Sequence, residues 1–329
     1  MNRIFPVLVS VFLVFSCNEQ QDAGPYAGIL QEEPYKVLTD SIEEDPKDAE
    51  LYFRRAVMLN SRQQVMPALA DFRKAWTLDP QEKYALGVGN IWLTAQPDSA
   101  VAFVERALNE LPKSLFLKLL LARAYEANKQ PAKAVEICDQ IVAEDPQQVN
   151  AHILKAELLQ GINQDSLAVP ALEQAFALLP DNRALAEELA YAYAETKNPK
   201  TIALVDSLLE ADTAGEFASP LYIKGNYYAN RNMMAEAIRW YDETIRRDHR
   251  YLNAYIEKGK LYFNSGQTEK ALSNFQLANT IAPAFADAWF WIAKCQEKMG
   301  QKAEAKLNYQ KAASLDPEFT EAKEAADKL

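Results

Sequence analysis

Small residues return along this chain at a step of about 34, and a period of that size restricts the fold more than any other feature. They stand at Ala56, Val88, Ala122, Ala156, Ala190, Gly225, Gly259 and Ala293. Twelve residues after each comes a second small residue: Ala68, Ala100, Ala134, Ala168, a blurred Ile202-Ala203, Ala237, Ala271 and Ala305. Twelve further on a helix breaker usually closes the unit, as Pro80, Pro112, Pro146, Pro180, Pro283 and Pro317, with Ala214 and His249 in the other two places. One such unit is too short to bury its own apolar face and must stack on its neighbours, so the chain reads as a linear array and not a pocketed globule.

Inside a unit the apolar residues keep a 3.6-residue period on either side of a short break. Between 252 and 285 the first run is Tyr255, Ile256, Gly259, Tyr262 and Phe263, and the second is Ala271, Leu272, Phe275, Ala278 and Ile281. That spacing lays one apolar stripe on each of two helices. The small residues fall mid-stripe, where two helix axes approach and a neighbour's aromatic side chain enters. Gly266 and Gly300 lie between paired helices and suit a left-handed cap, and Asn128, Asn163 and Asn198 occupy corresponding breaks. Pro131 and Pro199 suit first helical turns. Asp45-Pro46, Asp79-Pro80, Asp145-Pro146 and Asp316-Pro317 end second helices, because proline drives the preceding residue out of helical geometry.

These positions resemble the tetratricopeptide repeat. Tyr255, Gly259, Tyr262, Ala271, Phe275, Ala278 and Pro283 stand in that family's order. So do Trp289, Ala293, Ala305, Tyr309, Ala312 and Pro317 in the next unit, with Gln296 in a place usually aromatic. The resemblance covers residues 34–329 and implies an all-α, right-handed superhelical solenoid of antiparallel helix pairs. Eight units are expected near 49–82, 81–114, 115–148, 149–182, 183–217, 218–251, 252–285 and 286–319. An unpaired helix at 34–44 precedes them, and a polar capping helix at 318–329 closes the array. The unit at 183–217 departs most, with Asp206 in an aromatic's place and no closing proline.

The amino terminus carries an address. Arg3 precedes a predominantly apolar run from Ile4 to Phe15, too short to span a bilayer but suited to the centre of a secretory signal. The following Leu13-Val14-Phe15-Ser16-Cys17 resembles a bacterial lipoprotein cleavage box, with Val14 and Phe15 departing from its commonest form. The resemblance implies a signal peptide at 1–16, lipid attachment through diacylglyceryl and amide-linked acyl chains on Cys17, and a polar tether at 17–33. The expected location is the bacterial cell envelope, lipid-anchored to the outer membrane on its periplasmic face or its surface. A plain signal peptide and an uncleaved anchor are the alternatives.

Charge limits the partners. The chain holds 35 basic and 46 acidic residues, a net charge of −11. Loss of residues 1–16 removes only Arg3, giving 34 − 46 = −12. That balance opposes nucleic-acid binding and unspecific attraction to anionic lipid. Catalysis and cofactors find no support. His152 and His249 lie almost a hundred residues apart, the first reading as a packed aromatic and the second as a loop residue. Cys138 and Cys295, five units apart, read as buried free thiols. No metal-ligand spacing, phosphate-cradling loop or serine elbow is present, so the chain reads as a non-enzyme with no cofactor.

A surface remains. In proteins resembling this one, the first helices of successive units line a concave groove that holds extended peptides or helices. At the corresponding positions the last three units offer Tyr222, Asn226, Asn253, Lys260, Phe263, Asn264, Phe290 and Lys294. An amide donates to and accepts from a peptide backbone, lysines meet a carboxylate, and aromatics form anchor pockets. The family's Lys/Asn carboxylate clamp is not matched by any first helix. Phe53, Val57, Gly89 and Trp92 make an apolar wall in the first two units, suited to an amphipathic helix. Two functions are expected: a membrane-anchored, non-catalytic adaptor for a protein or peptide partner, and alternatively an envelope lipoprotein binding a glycan or ligand on Trp92, Tyr222, Phe263 and Phe290.

Overall fold

The computed structural model describes residues 25–329; the expected signal at 1–16, the lipid attachment at Cys17 and the first part of the tether lie outside the described residues. Every regular element among the described residues is an α-helix, and the elements fall into two compact units that divide after Asn128. The first unit contains α1 (Ala27–Leu30), α2 (Lys36–Glu44), α3 (Ala49–Ser61), α4 (Val65–Leu78), α5 (Glu82–Ala95), α6 (Pro97–Glu110) and α7 (Leu115–Ala127). The second runs through α8 (Pro131–Glu144), α9 (Val149–Gly161), α10 (Asp165–Leu178), α11 (Arg183–Glu195), α12 (Lys200–Ala211) and α13 (Ser219–Asn230). It continues with α14 (Met234–Arg247), α15 (Leu252–Asn264), α16 (Thr268–Ile281), α17 (Ala286–Lys298), α18 (Lys302–Leu315) and α19 (Thr320–Lys328). Within each unit consecutive helices from α2 onward pack on one another, the helix-pair solenoid expected from the period.

The packing unit is a small residue on the first helix met by a larger one on the second, four residues past that helix's own small residue. These larger side chains are Phe72, Val104, Cys138, Leu172, Val205, Tyr241, Phe275 and Tyr309, none more than 4% exposed. Glycine stands opposite two of the aromatic ones. A Cβ placed on Gly259 would lie 2.3 Å from Phe275 Cε1, and one on Gly225 would lie 2.5 Å from Tyr241 Cε1. Opposite Val88, by contrast, the second helix carries only Val104.

The structure corrects the register of α12. Its interior positions are Thr201 and Val205, both 0% exposed, while Ile202 is half-buried and Ala203 exposed. The spacing from Ala190 is therefore eleven and not twelve. Val205 fills the aromatic's place, and Asp206 projects beside it to accept from Lys224 Nζ at 2.6 Å. Thr201 is tolerated in the interior because its hydroxyl donates to Asn198 O at 2.6 Å.

Corners between units rest on aspartate as much as on proline. Asp45, Asp145, Asp248 and Asp316 each accept through Oδ1 from the amide two residues on, at 3.2, 3.0, 2.8 and 2.9 Å. This side-chain turn does not need a proline, which explains why His249 serves in place of one. A second recurring bond returns from the next helix to the closing residue's carbonyl: Tyr52 to Pro46 O (3.3 Å), His152 to Pro146 O (2.9 Å), Tyr255 to His249 O (3.2 Å) and Trp289 to Pro283 O (2.8 Å). A carbonyl only accepts, so His152 carries its proton on Nε2 and acts as a structural donor. Breaks within pairs do use left-handed geometry at Gly266 (φ 79°) and Gly300 (φ 82°). Among the three expected asparagines only Asn163 (φ 57°) adopts it; Lys129 and Lys197 take that role instead of Asn128 and Asn198.

The ends are sealed differently. The expected tether 17–33 is helical over Ala27–Leu30, and Thr39 Oγ1 donates to Leu30 O at 2.7 Å, so folded structure begins before residue 34. The same threonine accepts from Arg55 Nη1 at 2.9 Å, while Arg55 grips Asp71 with Nε (2.6 Å) and Nη2 (2.8 Å). Arg55 and Asp71 are 5% and 6% exposed, and the two-pronged geometry compensates their desolvation. Desolvation still raises the Asp71 carboxyl above its ordinary 3.8, with Arg55 opposing that rise. At the other end α19 buries Ala322 and Ala326 against Phe290 and Tyr309 and turns charged residues outward. Cys138 and Cys295 are both buried, and burial pushes the Cys295 thiol up to about 12.

Candidate functional site

First helices of neighbouring pairs touch directly in the second unit, α11 against α13 and α15 against α17. Their shared face carries the expected site residues, and the structure separates those into three groups. Asn253 and Asn264 are exposed and available. Tyr222, Lys260, Phe263 and Lys294 are half-buried and engaged with neighbours. Asn226 and Phe290 are interior, 6% and 2% exposed.

Phe290 is therefore corrected from anchor to core. Its ring meets Phe319 at 4.8 Å, Tyr309 at 5.5 Å and Trp291 at 5.7 Å. Asn226 is committed too, because its Oδ1 accepts from the Tyr241 hydroxyl at 2.9 Å. That bond satisfies a buried phenol and fixes the amide, leaving Asn226 a positioning residue. The lysines are not waiting cations. Lys260 Nζ lies 2.7 Å from Glu257 Oε1, and Lys294 Nζ lies 3.0 Å from Glu321 Oε1. Both also sit over the Trp291 ring, at 5.5 and 5.1 Å. Phe263 packs edge-on to Trp291 at 5.7 Å beneath Lys298.

What the face presents instead is tyrosine and carboxylate. Tyr222 packs at 5.0 Å from Tyr251 and 5.8 Å from Tyr241. Tyr191 on α11 is 42% exposed. Burial raises the Tyr191 phenol above its ordinary 10.0, with Glu195, Glu257 and Asp165 adding to the rise. Burial does the same to Tyr222, helped by Glu257, and pushes Tyr251 up to about 12, helped by Glu187. Burial raises the carboxyls of Glu188 and Glu195 above their ordinary 4.5, Glu157 reinforcing the first and Asp165 and Glu257 the second. Asn230 opposes part of the Glu195 rise through a side-chain hydrogen bond. Glu188 pairs with no cation among the described residues. The shared influence of Glu257 on Tyr191, Tyr222 and Glu195 places α11, α13 and α15 within electrostatic reach of one another.

Of these groups only Tyr222 is among the site residues expected from the sequence. Tyr191 and Glu187 occupy groove positions but lie outside the last three units, which hold the expected site residues. Tyr251 belongs to the corner before α15, so no helical period could mark it. The apolar wall expected in the first unit is not continuous. Phe53 turns into the interior against Phe72 and Tyr84 at 5.8 and 5.2 Å, and a Cβ on Gly89 would lie 2.5 Å from Leu120 Cδ2. Val57 stays 47% exposed. Among the described residues no group of three or more His, Cys, Asp or Glu is placed to hold a metal ion, and no helix is long and apolar enough to cross a membrane.

Tetratricopeptide-repeat family models match residues 94–158, 252–285 and 286–319. Among solved structures, a tetratricopeptide repeat protein from Parabacteroides merdae ATCC 43184 is 15% identical with a TM-score of 0.55, covering 85% of this chain and 97% of that one. The APC/C hetero-tetramer Cut9-Hcn1 matches at 14% identity and TM-score 0.46, over 91% of this chain; this chain spans 59% of its partner in that match. PilW, a widely conserved type IV pilus biogenesis factor, matches at 18% identity and TM-score 0.47, over 63% of this chain and 96% of its own. No curated protein matches the sequence.

Proposed function

We propose, from the premise that this chain carries tetratricopeptide repeats, that it is a membrane-tethered, non-catalytic scaffold whose first-helix groove grips a basic segment of a protein partner. Proteins of this fold generally act as non-catalytic protein-binding scaffolds. The observation that carries the finer reading is the run of Tyr191, Tyr222 and Tyr251 beside Glu188 and Glu195. Tyrosine faces attract lysine and arginine side chains, and partly desolvated carboxylates bind them more strongly than solvated ones. Because Lys260 is already held by Glu257, an acidic partner gains no open cation there. Tyr191 supplies the clean variant, since it is exposed while Tyr222 supports neighbouring rings. Tyr191→Ala with Glu188→Gln is expected to weaken partner capture from an envelope extract at least about tenfold, the loss of one good anchor. Capture unchanged by the pair removes the groove from the account.

The tether rests on Arg3, the apolar run Ile4–Phe15 and the Ser16-Cys17 junction. Two or more acyl chains on Cys17 give the stable anchoring that a single chain does not. Cys17→Ala is expected to move the protein from the membrane fraction to the soluble one; a mutant that keeps its hydrophobic anchor and sediments as before contradicts the lipid assignment.

A further inference from the structure

A cleft in the first unit brings two arginines together over an aromatic floor, and the tyrosine-lined groove of the second unit uses none of its residues. Arg73 and Trp76 come from α4, Trp92 from α5, and Phe103, Arg106 and Glu110 from α6, around a volume of about 280 Å³. Trp76 and Trp92 both stand edge-on to Phe103, at 5.8 and 5.5 Å with interplanar angles of 70°. One phenyl ring thus fixes both indoles. The Arg73 guanidinium carbon lies 5.5 Å from the Trp92 ring centre. Arg106 donates from Nε to Ala102 O at 3.1 Å, which orients its guanidinium and leaves the terminal nitrogens for another acceptor. Among the described residues neither arginine pairs with a carboxylate, although acidic residues outnumber basic ones in the chain.

We propose that this cleft binds a single sugar-sized ring carrying a carboxylate. The volume falls at the lower edge of ligand pockets, about 300–1,000 Å³, which admits one ring and not an extended chain. Indole faces take the apolar C–H face of a saturated ring, and a planar guanidinium takes a carboxylate two-pronged. Glu110 accepts from a ring hydroxyl, an interaction that a plain aromatic acid does not offer. Two guanidiniums against one carboxylate leave the lining net cationic, so the ligand's own charge is negative.

The test titrates the full chain with glucuronate, glucose and acetate by calorimetry. Glucuronate is expected to saturate, with glucose and acetate each at least about tenfold weaker, since each lacks one half of the recognised chemistry. Arg73→Gln with Arg106→Gln is expected to cut glucuronate affinity at least about tenfold and leave the melting temperature unchanged, both side chains being exposed. Absence of saturable glucuronate binding, equal binding of glucose or acetate, or a double variant that binds like the wild type each overturns the proposal. The groove's partner plays no part in this measurement, so the two readings fail separately.

Discussion

In the pair α15–α16 the first helix offers Gly259 and the second fills it with Phe275; in the pair α11–α12 the first offers Ala190 and the second answers with Val205. Phe275, Ala190 and Val205 are all 0% exposed. The two junctions are closed by different volumes, one glycine plus one phenyl against two intermediate side chains. These two contacts thus divide their volume differently between the paired helices. The second pair also replaces the Asp-turn corner. Asp212 accepts from the amides of Glu216 (3.0 Å) and Phe217 (2.9 Å) around Gly215 (φ 67°), and Arg247 reaches the same carboxylate at 3.3 Å. A cleft of about 340 Å³ lined by Phe176, Leu204, Leu208 and Phe217 lies beside it. The least regular unit thus has a cleft at its corner.

The comparison breaks most visibly at its larger side chain. Phe275→Ala is expected to cost about 3–5 kcal/mol, against roughly 2 kcal/mol for the two methyl groups lost in Val205→Ala. Urea unfolding of the two variants measures the gap, and equal losses contradict the difference in fill. Rebuilding one pair in the image of the other is sharper. Val205→Phe alone is expected to cost about 1–3 kcal/mol by overpacking. Adding Ala190→Gly should recover part of that loss although glycine by itself costs a helix about 1 kcal/mol. Strict additivity in this double-mutant cycle denies the compensation.

A smaller effect is expected at the ion pair that stands beside Val205. Lys224 is 7% exposed and lies 4.2 Å from the Trp240 ring centre, but the Asp206 side chain is 46% exposed. Solvent screening holds Asp206→Ala to about 0.5–1 kcal/mol. The smallest stability effect comes from pH. Glu188 and Glu195 bind protons more tightly in the folded chain than in the unfolded one, so falling pH adds a little stability through these two groups. The same protonation removes the charge that a basic partner meets. Partner binding is thus expected to weaken on acidification at a pH above the ordinary glutamate value of 4.5, while melting temperature does not fall through these two groups. Binding that stays constant down to that value would remove both carboxylates from the contact.

The period made the helix pairs legible because small residues at close helix contacts have few substitutes. Gly266 and Gly300 could be placed as caps for the same reason: their positive φ excludes most side chains. The register slip at Thr201 escaped because a threonine that bonds back to Asn198 O is chemically acceptable inside, yet looks polar in a sequence. Arg55 and Asp71 escaped on similar grounds, sixteen residues apart and each ordinary for an exposed helix face. The candidate site was legible only as a set of positions. Which side chains there are free depends on partners in other helices: Tyr241 holds Asn226, Glu321 holds Lys294, and Phe319 covers Phe290. No short-range pattern records those pairings.

The central functional claim is that the face built by α11, α13 and α15 holds a basic segment of another protein. Photo-crosslinking in cells from a reactive residue at position 191, with one at the 66% exposed position 307 as control, tests it most directly. The account predicts a crosslink from 191, lost with Glu188→Gln and Glu195→Gln together, that maps by mass spectrometry to a lysine- or arginine-rich segment. Crosslinks that form only from 307, or that map from 191 to an acidic segment, contradict it.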